Sequence, residues 1–138
     1  MSSHLLDLEK YLVLLASQEH ATLEEINGSP FIAYGIQHVI QISIETIFNI
    51  THHIIAACNF DTPKSNIESL EILAKEGILK DPELLESLKK MARFRNLVVH
   101  RYWEVDNEKI LEILRRDLGD LRKCADSIGL FLRNNPEL

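Results

Sequence analysis

Glycine and proline are scarce in this chain, five and four among 138 residues, which leaves too few turns for a many-stranded β protein and favours long helices. Cysteine occurs twice, as Cys58 and Cys124, so one bridge is the limit. The N-terminal MSSHLLDLEK has no basic start followed by an apolar core and a cleavage site; no export signal is read, and both thiols are expected reduced in a cytoplasmic protein. No run of 18 apolar residues is free of polar interruption. The closest, around Ile36 to Ile55, contains Gln37, His38, Gln41, Glu45, Asn49, His52 and His53, so no membrane span is expected. HExxH, paired CxxC and a glycine-rich phosphate loop are all missing. His52 and His53 are adjacent and diverge around a helix, while His4, His20 and His38 have no visible partner. Neither a metal site nor a cofactor is expected.

Apolar residues make up 46% and charged residues 26%, the balance of a soluble globular protein, and the length suits one domain over 1–138. Leu5, Leu8, Leu12 and Leu15 recur at helical spacing. In NGSP, Gly28 breaks, Ser29 caps and Pro30 fits a first helical turn, opening a long helix over roughly Phe31 to Cys58. Its isoleucines fall on several faces, which predicts a central helix or one shared with a partner. Ser65 with Glu68 forms a capping box for a short helix that Gly77 can end. Asp81-Pro82-Glu83 starts a fourth helix, and Asp106 caps a last one with a three-and-four rhythm through Ile110, Leu114, Leu118, Leu121, Ala125, Ile128 and Leu132. The expectation is all-α: an antiparallel up-and-down bundle of four long helices and one short.

The chain carries 15 basic and 21 acidic residues, yet between Ser87 and Trp103 there are five basic side chains, Lys89, Lys90, Arg93, Arg95 and Arg101, and no acid. A cationic patch on an anionic body suits one docking site for a phosphate-bearing partner. Within it, RNLVVHRYW sets Arg95, His100 and Tyr102 in an Arg-x4-His-x-Tyr pattern. An arginine is a permanent planar donor, and a histidine gives or takes a proton near neutrality. At about 100° per residue, Tyr102, Arg95, Val99, Trp103, Asn96 and His100 follow one another around an arc of about 160°, with Arg95 and His100 near opposite ends. One straight helix cannot aim both at the same small target. Either the helix ends or bends within the motif, or two copies face each other across a two-fold axis. A polar stripe of Gln37, Gln41, Glu45 and Asn49 on the second helix reads as a solvated face or as the lining of such a cleft.

The motif with its surroundings, ESLEILAKEGIL, LKKMARFRNLVVHRYWEVDNEKI, LRRDLGDL and, further back, IETIFNITHHII, resembles the HepT-like toxin ribonucleases of the HEPN superfamily over nearly the whole chain. The resemblance implies a HEPN-like homodimer that cuts RNA without metal at a cleft between subunits. It implies Arg95 and His100 as the catalytic pair, with Asn96 supporting them. It further implies Tyr102 as the acceptor of AMP from an MntA-like nucleotidyltransferase antitoxin. Lys89, Lys90, Arg93 and Arg101, with Trp103, are assigned to RNA docking. A competing expectation is a non-catalytic helical partner that binds nucleotide or substrate for a separate nucleotidyltransferase; the presence of Arg95, His100 and Tyr102 together favours the toxin.

Overall fold

The structure, a computed structural model, describes residues 2–138, with side chains from residue 3. Seven helices follow in order: α1 (Ser2–Ala16), α2 (Leu23–Asn27), α3 (Pro30–Ala57), α4 (Asn66–Lys75), α5 (Pro82–Arg101), α6 (Asn107–Glu112) and α7 (Leu118–Asn134). A 3-10 turn, Tyr102–Glu104, follows α5, and a π-helical turn, Ile113–Asp117, joins α6 to α7 in one rod. Among the described residues there is no strand. The expected bundle is what forms, with its fifth, short helix at α4.

The helix starts are written locally. Ser29 Oγ accepts from the Ile32 amide at 3.4 Å with Pro30 opening α3, Ser65 Oγ accepts from Glu68 at 3.0 Å, and Asp81 and Asp106 each accept from the second amide onward at 2.9 Å. The stops are equally specific. Gly77 takes φ +79°, which lets the amides of Gly77 and Ile78 return to the carbonyls of Ala74 and Leu73 and close α4. Asn59, at φ 59°, does the same for α3, with Phe60 N–H donating to the Ile55 carbonyl at 3.0 Å.

The helix α2 was not expected. Its signal is a capping box like the one at Ser65: Thr22 Oγ1 accepts from the Glu25 amide at 3.2 Å and donates to the Glu25 carboxylate. The last helix also departs from a plain heptad. Ile110, Leu114 and Leu118 are spaced four and four, which overshoots one face of an α-helix by about 80°. The wider π turn absorbs the overshoot, and all three side chains are buried.

The long apolar helix is central. α3 packs against α1, α2, α4, α5 and α6, and Ile40, Ile50 and Ile54 are fully buried. Each such side chain contributes roughly 1.5–3 kcal/mol through removal from water. By length and composition α3 is long and apolar enough to cross a membrane, and half of its most apolar window is buried inside the bundle. Both cysteines are free, and burial pushes the Cys124 thiol up to about 12.

Candidate functional site

The polar stripe of α3 is not a solvated face. Gln37 is buried and Gln41 and Glu45 are half-buried where α3 meets the antiparallel α5; only Asn49 is exposed. Its purpose is visible at Glu45. The Oε1 atom accepts from Arg95 Nε at 3.1 Å, from Arg95 Nη2 at 2.9 Å and from Gln41 Nε2 at 3.1 Å. A third arginine nitrogen, Nη1, donates to Asn96 Oδ1 at 3.1 Å. The guanidinium is thereby held on three sides, only a quarter exposed, in a geometry set by charge-assisted bonds. Sequence reasoning missed Glu45 as the partner because the pair spans 50 residues; the stripe was its only signal.

His100 lies elsewhere on the same helix. α5 runs without interruption to Arg101, so the five residues from Arg95 to His100 turn it by about 140°. Lys89, Arg93, Asn96 and His100 share a stripe on the side of α5 away from the core, and Arg93, Asn96 and His100 are exposed. The helix does end within the motif, but only at Arg101, whose backbone leaves the helical region at φ −145°, ψ 49°. The break comes too late to bring His100 toward Arg95.

What the break redirects is Tyr102. Its ring returns to α3 and meets Tyr34 edge-on, centroids 5.6 Å apart, while Trp103 packs edge-on against it at 5.2 Å. Tyr102 remains half exposed. The seam between α3 and α5 therefore has Arg95 clamped by Glu45 at one end and Tyr102 at the other.

The basic segment is partly neutralised. Lys89 approaches Glu86 at 3.4 Å and Glu71 at 3.8 Å, and Arg101 approaches Glu104 at 3.7 Å. The Arg101–Glu104 pair is exposed, and pairs of that kind are worth about 0–1 kcal/mol, whereas the Lys89 side chain is mostly buried beside its two carboxylates. Among the described residues Lys90 and Arg93, both exposed, are in no ion pair. No group of three or more metal-ligating side chains occurs among the described residues.

Fold and site together define an all-α helical bundle with an Arg-x4-His-x-Tyr motif at the C-terminal end of α5. The chain belongs to the Ribonuclease HepT-like family, whose model matches residues 1–128. The mRNA nuclease HepT of Shewanella oneidensis is 30% identical over 84 residues, which are 61% of this chain and 62% of that protein. The match thus spans about three-fifths of that relative's length. Among solved structures, the tri-AMPylated Shewanella oneidensis HEPN toxin in complex with MNT antitoxin superposes with a TM-score of 0.80 at 21% identity, over 94% of this chain and 99% of that one. A cytosolic protein of unknown function from Bacillus subtilis gives 0.80 at 20% identity, over 97% and 89%. At these identities the structural likeness establishes the fold.

Proposed function

We propose that this chain is the toxin of a toxin–antitoxin pair, a cytoplasmic ribonuclease that acts as a homodimer and needs no metal. The observation that carries the reading is Arg95, fixed by Glu45 with His100 turned to the outside of the same helix. A phosphate site and a proton-transfer group built that way are complementary halves, and a second copy supplies the missing one. Family membership and the naming of the curated relative as an mRNA nuclease support the reaction class. In the reaction, the ribose 2′-oxygen attacks the neighbouring phosphorus and the bond to the 5′-oxygen breaks. The products are a cyclic phosphate and a free 5′-hydroxyl. Arg95 neutralises charge on the phosphoryl oxygens, and His100 takes the 2′-hydroxyl proton or delivers one to the leaving oxygen. Asn96 keeps the guanidinium in place; Lys90 and Arg93 guide the strand, with Lys89 and Arg101 exchanging their carboxylates for phosphates. RNA carries its own nucleophile, so positioning and proton transfer suffice.

The test is cleavage by unmodified protein in excess EDTA, with Arg95→Ala and His100→Ala each losing about two to four orders of magnitude in rate. Undiminished cutting by both variants, or strict dependence on magnesium, would overturn this reading. A protein that binds nucleotide but never cuts RNA would support the non-catalytic partner instead.

Control falls to Tyr102 and a nucleotidyltransferase antitoxin of the MntA kind. The half-exposed phenol attacks the α-phosphorus of ATP, pyrophosphate leaves, and the added AMP competes with RNA for Arg95. The Shewanella toxin found tri-AMPylated beside its antitoxin supports the same chemistry here. Tyr102→Phe keeps most cleavage and escapes neutralisation. Mass spectrometry after co-expression should place the AMP increments on the peptide holding Tyr102; increments elsewhere would remove the switch.

A further inference from the structure

Between the Arg95–Glu45 clamp and Tyr102 the α3–α5 seam opens into a groove of about 450 Å³, lined by Tyr34, Gln37, His38, Gln41, Val99 and Tyr102. The size is that of a small-ligand site, and the lining has the usual composition, mostly apolar and aromatic with a few convergent polar groups. Gln37 is the unusual member. Only 3% of it is exposed, and its Oε1 has no hydrogen-bond donor, although nearly all buried acceptors have one. It also lines a second, smaller cavity together with Tyr34, Tyr102 and Trp103.

We propose that the groove is a nucleobase subsite, with adenine as the preferred base. A glutamine amide presents one acceptor and one donor side by side, matching the adenine amino group and ring nitrogen. Gln37 lines the groove with its Oε1 closed to solvent, so its amide turns outward to give that acceptor the donor it lacks. Tyr34 and Tyr102 provide aromatic surface for the base, the ordinary way a protein holds an unpaired nucleotide. Gln41 lines the groove and donates to Glu45, which holds Arg95, so the groove and the proposed phosphate site are joined through one hydrogen-bonded side chain. On this proposal a nucleotide whose phosphate engages Arg95 places its base toward Gln37. The inference rests on the ribonuclease reading and adds to it the base that the strand presents beside the cut.

Trp103 is the only tryptophan and sits against Tyr102, so its fluorescence reports on the groove. Unmodified full-length protein is titrated with AMP, UMP and ribose 5-phosphate. AMP should change the emission saturably, with UMP and the base-free sugar phosphate at least about tenfold weaker; Gln37→Leu and Tyr34→Ala should each weaken AMP by about tenfold, the effect of one lost contact. Equal affinity for AMP and ribose 5-phosphate, or AMP binding unchanged in both folded variants, would overturn the subsite. RNA cleavage on the same preparations separates the two ideas. Cutting without base-dependent binding sinks the subsite alone, whereas base-dependent binding without cutting sinks the ribonuclease reading and leaves an adenine nucleotide site.

Discussion

On the side of α5 that meets α3, Arg95 makes two bonds to Glu45 and one to Asn96, and every participant comes from one chain. On the opposite side, His100 stands exposed among Lys89, Arg93 and Asn96, and no carboxylate or carbonyl fixes its ring among the described residues. The first side is a finished binding device. The second is half of one. A catalytic histidine ordinarily has an orienting partner, so on the proposed ribonuclease reading the contrast marks where a second subunit would contribute.

The sharpest way to break the comparison is to mix the two dead variants. If Arg95 of one subunit works with His100 of the other, an Arg95→Ala/His100→Ala heterodimer keeps one intact cleft. Randomly reassembled mixtures should recover about a quarter of wild-type rate, from almost none. Recovery at background level, with heterodimers shown by native mass spectrometry, would place both groups in one chain's site. Light scattering should show a dimer throughout.

Glu45→Gln tests the finished side with a smaller effect. The carboxylate positions Arg95 and, if RNA is the substrate as proposed, also repels its phosphate. Its removal should lower kcat by about tenfold while tightening KM and steepening the salt dependence of binding. A fall in kcat with unchanged KM would mean that Glu45 acts on the reaction by position alone.

The smallest effect concerns stability. Gln37→Leu removes a buried acceptor without a donor, so unfolding should become harder by about 1 kcal/mol, seen as a rise of about 3–5 °C in Tm. A lower Tm would show that the amide is satisfied within the folded chain.

Much of this architecture was legible residue by residue. Ser29-Pro30, Ser65 with Glu68, Asp81-Pro82 and Asp106 announce helix starts because a cap acts on amides two or three positions away. Thr22 with Glu25 carries the same kind of signal, but it opens a helix of only five residues, too short to show a periodic apolar face. The angular separation of Arg95 from His100 was equally readable, since it depends on helix geometry alone. The Glu45–Arg95 pair was not, because it forms only when two helices, 50 residues apart in sequence, pack in a particular register. The same packing turned Gln37 from an apparent surface amide into a buried one. The break at Arg101, which folds Tyr102 back on Tyr34, has no counterpart in the motif's spacing.

The π turn at Ile113–Asp117 marks where this chain tolerates a change of length. A helix that holds one surplus residue in a single widened turn stores it without altering the faces on either side. Losing exposed Arg116 should let the turn relax to ordinary α geometry, with α6 and α7 each keeping its inward face. A deletion within α5 has no such slack. It would rotate everything after it by about 100° and carry His100 off its stripe, so the two helical rods differ sharply in how far they can be edited.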